Sequence, residues 1–407
     1  MKTVLVTAYD VDPFKGSESG MGWNLIRQIA LRNKVIAVTR RNNRSNIENY
    51  MQERNIRVDN LAFYYFDLPY VLRFWKRGQR GSSLYFFLWQ CLMPIFIKYH
   101  RLSFDIAHNL NFHTDWAPSM LWVFKKLFVW GPIGHHHKIP AEYVLRPYGL
   151  KAYLKDRAIW LIKLFFWRCD LLLYMTKRKA DAVLCMNTSV QTSLRLDKNK
   201  VTIFPSVGSE SHGKPSETRN DQFTVLSVGR FVPLKGFDIV IKSFQLFFSS
   251  LNEDERKKIN LIIVGKGPEE VFLRSLAHKI GISGSITFIN WVERDKLSNL
   301  YLTAKVFFFP SHEGAGMVVA EALSFGLPVL CFDNYGPGEF VDQNCGVKIA
   351  YSTYEQSIRD FAGALRNLYL NRNMIDALSA GAIDRFQKVF DWEKKGTFLQ
   401  KIYNEVA

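Results

Sequence analysis

The stretch FFFPSHEGAGMVVAEALSFGLPV (residues 307–329) decides how this chain is built. It starts as a run that is apolar on both faces, passes into a loop holding Gly314 and Gly316, and opens a short helix at Met317. A strand that feeds a helix through such a loop leaves the first helical N–H groups and the positive end of the helix dipole beside the loop. The glycines there let an anion approach the backbone closely. Glu313 lies in the loop, and Glu321 is the only charged residue from Met317 to Phe325. Helical side chains lean toward the N-terminus, so the Glu321 carboxylate points back at the loop. Buried there, it needs a polar partner such as the hydroxyls of a sugar or ribose. The plainer alternative is a capped helix with one solvated glutamate.

Outward from this stretch the same grammar repeats. TVLSVGRF (224–231), NLIIVGKG (260–267), SITFINWV (285–292), KVFFFPS (305–311) and LPVLCFD (327–333) are short runs rich in Val, Ile and Phe, separated by helical patterns. Runs apolar on both faces alternating with helices indicate a parallel sheet covered on both sides. The first half repeats it in KTVLVTA (2–8), KVIAVTR (34–40), FDIAHN (104–109), KLFVWGP (126–132), DAVLCMN (181–187) and KVTIFPS (200–206). A helix is expected over Gly20–Ala30 and a long helical stretch up to Lys179; SVGSESHGKPSETRND (206–221) has linker composition. The expected fold is therefore α/β, two doubly wound Rossmann-like domains facing across a cleft that holds the ligand. The expected boundaries are 1–205, 206–382, and a C-terminal helix 383–407 crossing back onto the first domain.

Charge divides the two halves further. The 407 residues carry a net charge of +17, and residues 1–205 hold 31 Lys and Arg against 14 Asp and Glu. Residues 206–407 hold 23 of each, so any anionic partner belongs with the first half. No acidic residue occurs between Leu68 and Phe104, where Arg73, Lys76, Arg77, Arg80, Lys98 and Arg101 lie among Phe74, Trp75, Tyr85, Phe86, Phe87 and Trp89. KAYLKDRAIWLIKLFFWRCD (151–170) has a similar mixture. Cations beside exposed aromatics suit an anionic membrane surface; the alternative is aromatics in the core with solvated cations. No nucleic-acid-binding module is visible. Five scattered cysteines, an N-terminal apolar run too short for a signal peptide and no stretch of about 20 apolar residues point to a cytoplasmic, peripheral protein.

Two further segments carry chemistry. VGRFVPLKGF (228–237) sets Arg230 and Lys235 between a strand end and a helix, where two cations suit a departing diphosphate. Alone, such a pair is as well explained as a solvated face. WGPIGHHHKIP (130–140) has three consecutive histidines, but adjacent side chains diverge and metal ligands want spacing, so His135–His137 are expected in a loop. Asp10-Val11-Asp12 is the sole Asp-x-Asp sequence and follows the first strand.

The order VGRFVPLKGF, IVGKGPEE, then two glutamates eight apart within SHEGAGMVVAEALSFGLPV resembles the donor half of retaining glycosyltransferase family 4, of GT-B architecture, over residues 224–341. The resemblance implies a nucleotide-diphosphate sugar as donor, gripped at its diphosphate by Arg230 and Lys235. It further implies that Glu313 meets the sugar, Glu321 the ribose, and the backbone of Gly314, Ala315, Gly316 and Met317 the phosphate and sugar. Gly20 and Gly22, in GSESGMGWN (16–24), would let a turn close over the diphosphate. His108 or His113, in DIAHNLNFHTDW (105–116), would stand near the reaction centre, with Asp115 orienting His113. The class needs no metal and no cofactor. The charge of the first half suits a cell-envelope glycan or lipid-linked acceptor, with a soluble sugar as the alternative; rival readings are a nucleotide-sugar epimerase or a non-catalytic glycan- or lipid-binding relative.

Overall fold

The computed structural model describes residues 1–56, 58–78, 80–110, 114–212 and 222–406. The chain divides into two compact units. One comprises Met1–His135, Trp160–Val207 and Trp392–Ala407; the other comprises His136–Ile159 and Gly208–Asp391.

The first unit is built on seven strands: β1 (Thr3–Thr7), β2 (Lys34–Thr39), β3 (Leu61–Tyr65), β4 (Ile106–Asn109), β5 (Leu127–Ile133), β6 (Ala182–Cys185) and β7 (Val201–Ile203). They are all parallel, in the order β3-β2-β1-β4-β5-β6-β7. The chain reverses direction across the sheet between β1 and β4, whose register pairs Val4 with Ile106 and Thr7 with Asn109. Ligands of doubly wound sheets collect at the carboxyl ends of such a strand pair. Strand β3, LAFYY, is absent from the strands expected from sequence; it is an edge strand with no fully buried residue.

The second unit has six parallel strands: β8 (Phe223–Val228), β9 (Ile259–Val264), β10 (Ile286–Ile289), β11 (Val306–Phe309), β12 (Val329–Phe332) and β13 (Gly346–Ile349). Their order is β10-β9-β8-β11-β12-β13, with the reversal between β8 and β11. Strands β8, β11 and β12 are buried at every position, as runs apolar on both faces require. The order makes VGRFVPLKGF and SHEGAGM neighbours, since one follows β8 and the other β11.

Residues 136–159, read from sequence within the first half, group with the second unit. Ile139, Tyr143 and Val144 are buried in its core beside Phe231 and Phe332. The Tyr143 hydroxyl bonds Ser357 Oγ at 2.6 Å, and Tyr148 donates to Asp238 at 2.8 Å. The helix Trp392–Glu405 groups with the first unit and packs on the helix Ser17–Ala30. Asn33 bonds Gln400 at 2.6 Å, Lys2 donates to the Tyr403 carbonyl at 2.7 Å, and Gly396 gives room to Gln28 and Arg32.

The aromatic-basic stretches split in two. Tyr85, Phe86, Trp89 and Trp167 belong to the core of the first unit, as the plainer alternative held. A different apolar set faces solvent: Tyr70, Val71, Phe74, Ile95 and Tyr99, and on the Trp160–Cys169 end of the long helix Leu161, Ile162 and Phe165. Helical spacing sorts these residues, with Trp160, Leu164 and Trp167 inward and their neighbours outward. Among the described residues no helix is long and apolar enough to cross a membrane.

Candidate functional site

In the second unit the residues singled out from sequence converge. Strand β8 ends at Val228, and the turn carrying Arg230 leads through Pro233–Lys235 to a helix that starts at Phe237. Gly236 makes this turn at φ +68°, in the left-handed region, and a Cβ there would stand 2.3 Å from the Pro310 carbonyl oxygen. That close approach brings the turn against the loop after β11. The His312 N–H donates to the Leu234 carbonyl at 2.8 Å, and Ser311 Oγ donates to the same oxygen at 3.1 Å.

Lys235 Nζ consequently lies 2.6 Å from Glu313 Oε1, with only 16% and 11% of the two side chains exposed. The ammonium also stands 4.9 Å from the centre of the Phe309 ring. Arg230 is exposed at the same strand edge. The loop continues through Gly314, Ala315 and Gly316 to the helix Met317–Ser324, and Gly316 leaves space beside the Glu313 carboxylate. Glu321 is partly buried on that helix. Among the described residues the Tyr301 hydroxyl donates to its carboxylate, at a long 3.3 Å. Burial raises its pKa, opposed by the Arg294 charge and by the Tyr301 bond.

The histidines depart from expectation. His108, on β4, is fully buried, and both ring nitrogens are engaged: Nδ1 with the Tyr403 hydroxyl at 2.6 Å and Nε2 with the Gly131 carbonyl at 2.7 Å. Burial drives its pKa down to about 4. With no nitrogen left to turn outward, His108 ties a strand to the C-terminal helix instead of facing a substrate. His113 lies outside the described residues. Asp115, expected to orient His113, instead pairs with His135, whose Nδ1 is 2.6 Å from Asp115 Oδ2, both side chains being buried. His135 is thus a buried loop residue; its ring packs 5.1 Å from Trp167.

The other two histidines of the run belong to the second unit. His136 Nδ1 accepts the Gly314 N–H at 2.8 Å, and His137 stacks on Tyr335 at 4.5 Å. The three rings diverge, as adjacent residues must, and among the described residues no group of three or more His, Cys, Asp or Glu is set to hold a metal. The Asp115–His135 pair and the His136 contact with the site loop were missed from sequence. The histidine run was conspicuous, but nothing local named its partners.

The glycines of the first unit are also placed differently. The helix begins at Ser17, so Gly20 and Gly22 lie within it and not in the turn before it. Both are buried, and a Cβ on Gly20 would meet the Lys15 carbonyl oxygen at 2.2 Å. The preceding loop is closed by Asp12, which accepts from the Phe14 N–H, Asn46 and Lys15, the last at 2.7 Å, while Asp10 accepts from Ser19 Oγ at 2.6 Å. Asp12 is buried and holds the loop together.

Two doubly wound parallel sheets, the second with a cation–carboxylate pair at its reversal point and a glycine-rich helix entrance, define a protein of the GT-B fold class. Residues 209–385 match the family Glycosyl transferases group 1. A 168-residue stretch is 31% identical to an uncharacterized glycosyltransferase of Haemophilus influenzae, covering 40% of this chain and 45% of that one. Over 181 residues it is 29% identical to a GDP-mannose-dependent alpha-(1-6)-phosphatidylinositol monomannoside mannosyltransferase of Mycobacterium tuberculosis, covering 42% and 44%. The matched stretch spans under half the length of these relatives. The fold is shared more widely: the structure of WaaG, a glycosyltransferase involved in lipopolysaccharide biosynthesis, superposes with a TM-score of 0.63 at 18% identity, covering 98% of this chain and 99% of that one.

Proposed function

We propose that the protein is a retaining, metal-independent glycosyltransferase that moves a hexosyl group from a nucleotide-diphosphate sugar to a cell-envelope glycan or lipid-linked acceptor. The observation that carries this reading is the Lys235–Glu313 pair beside the entrance of the helix that bears Glu321. In this reading Lys235 and Arg230 meet the diphosphate. The backbone of Gly314, Ala315, Gly316 and Met317 completes an anion site with the helix dipole. Glu313 is freed to accept a sugar hydroxyl, and the Glu321 carboxylate, short of partners, takes the ribose hydroxyls. Gly20 lets the helix Ser17–Ala30 start close against its preceding loop.

The reaction breaks the bond between the anomeric carbon and a diphosphate oxygen through an oxocarbenium-like state. Charge grows on the leaving diphosphate, and fixed cations and N–H groups aimed at it lower the barrier without reorganising. The acceptor hydroxyl attacks from the face of departure and gives its proton to a leaving phosphate oxygen, so no enzyme nucleophile is used. A nucleotide sugar as donor is supported by the GDP-mannose dependence of the mycobacterial relative. A glycolipid acceptor is supported by that relative and by the role of WaaG.

We further propose that the first unit rests on the inner face of the cell membrane. Exposed Leu161, Ile162 and Phe165 beside Arg168 support this, together with the surplus of cations in residues 1–205. The test is a panel of nucleotide sugars scored by thermal shift, followed by transfer assays with envelope extracts in the presence of EDTA. Transfer with retained anomeric configuration is the expected result. Conversion of the donor sugar without any acceptor, or no shift with any nucleotide sugar, would overturn the reading.

A further inference from the structure

A second cation-lined site lies in the first unit, at the carboxyl ends of β2 and β3. Arg40 directly follows β2, Asp67 lies two residues beyond β3, and the segment after it returns Tyr70, Arg73, Phe74 and Lys76 to the same place. Together with Asn42 and Tyr85 they line a cavity of about 430 Å³. The carboxyl edge of a doubly wound sheet is where such folds place ligands.

The charges in this cavity do not balance internally. Three cations, Arg40, Arg73 and Lys76, face one carboxylate, and Asp67 already accepts the Tyr85 hydroxyl. The Arg40 guanidinium lies 4.4 Å from the centre of the Tyr9 ring and gives one N–H to the Tyr9 hydroxyl at 3.0 Å. The aromatic contact and the Tyr9 bond fix the guanidinium, and its N–H groups on the cavity side are placed for a charge-assisted, fork-like contact to an oxyanion. The Lys76 ammonium stands 5.3 Å from the centre of the Tyr85 ring, and its pKa is lowered first by burial and then by the Arg40 charge. Like charges brought together this way repel, and a polyanion relieves them.

We propose that the Arg40–Arg73–Lys76 cavity binds a phosphate-type group carried by the acceptor. The net of two positive charges left after Asp67 matches a phosphate dianion, or a diester with a neighbouring anion. The volume admits one phosphorylated sugar, and exposed Tyr70 and Phe74 at the rim give an apolar flank for its ring. The inference rests on the transferase reading only in calling the ligand an acceptor; the anion site stands on its own geometry.

The probes are a hexose 6-phosphate, the same hexose without phosphate, and vesicles of phosphatidylcholine with and without phosphatidylglycerol. Calorimetry and co-sedimentation are run on the full chain and on the R73Q/K76Q double variant. The wild type is expected to bind the hexose phosphate or the anionic vesicles and not the neutral counterparts. The double variant should bind at least about tenfold more weakly, because charge-assisted contacts are lost. Because Arg40 also packs on Tyr9, Arg40→Lys is the second variant; it keeps the charge, loses the fork, and should weaken hexose phosphate binding without lowering the melting temperature. Binding of the sugar phosphate alone identifies a soluble acceptor, and binding of the vesicles alone identifies a lipid headgroup. Equal binding of charged and neutral probes, or undiminished anion binding by R73Q/K76Q, overturns the proposal. A nucleotide-sugar thermal shift measured in parallel separates the two readings. If that shift persists while no anion binds, this inference alone falls; if anions bind here and no nucleotide sugar does, the transferase reading falls instead.

Discussion

Replacing His108 with Gln tests whether this histidine is a structural pin. In the folded chain Nε2–H donates to the Gly131 carbonyl and Nδ1 accepts the Tyr403 hydroxyl, so the neutral ring is fully satisfied. A second proton on Nδ1 would displace the Tyr403 hydrogen in a place with no solvent to receive it, which is why the pKa falls from 6.5 to about 4. The sign follows directly. The unfolded chain takes up a proton near pH 6.5 while the folded one does not, so stability present above pH 6.5 is lost as pH falls toward 4. With the pKa lowered to about 4, the loss is about 2 kcal/mol by pH 5 and about 3 kcal/mol once both states are protonated. Urea unfolding of the wild type and His108→Gln at pH 7.5, 6, 5 and 4.5 reads this difference. The variant should be less stable at pH 7.5 but should lack this part of the acid slope, so the two curves converge as pH falls. Parallel curves would refute the burial argument. Loss of more than about a hundredfold in turnover by a folded variant would refute the structural role and return His108 to the chemistry.

The other expected outcomes concern the second unit and the surface. Lys235→Ala and Glu313→Ala should each lower kcat by about a hundredfold or more while circular dichroism stays native, since each removes a group aimed at developing charge or at the sugar; unchanged transfer would sink the site assignment. Glu321→Leu should raise the KM for the donor with a smaller effect on kcat. In the wild type, donor affinity should weaken as pH falls through the raised Glu321 pKa, because a protonated carboxyl accepts ribose hydroxyls poorly; a pH-independent KM would contradict this. Leu161→Ser with Phe165→Ser should reduce sedimentation with anionic vesicles without altering donor binding, and high salt should reduce wild-type sedimentation.

Much of the second unit was legible because its information is local. Strands β8, β11 and β12 are apolar at both faces, and Gly236, Gly314 and Gly316 mark turns within a few residues of the strands they follow. Lys235 and Glu313 were each singled out from sequence, but it is the adjacency of β8 and β11 in the fold that turns a separation of 78 residues into a 2.6 Å contact. The first unit hid more because its decisive contacts are distant. His108 looks like a loop histidine until Tyr403, 295 residues away, is seen at its Nδ1. Residues 136–159 carry no composition that distinguishes them from the chain before them. It is distant contacts, such as the burial of Tyr143 and the Tyr148–Asp238 bond, that assign them to the second unit. Edge strand β3, with no buried residue, lacked the doubly apolar run by which strands such as β8 and β11 were found.

The charge asymmetry acquires a narrower meaning from the same comparison. In the second unit Lys235 is matched by Glu313, which holds the ammonium in place beside the helix entrance until a stronger anion arrives. In the proposed reading a diphosphate takes over the cation, and the released carboxylate is left for a sugar hydroxyl, so one exchange of partners prepares both groups. Around Arg40 no such exchange is available, because Asp67 is engaged by Tyr85 and three cations remain. On the two proposals, local neutrality in one unit and local excess in the other suit different ligands: a donor that displaces an internal counter-ion, and an acceptor that brings its own negative charge.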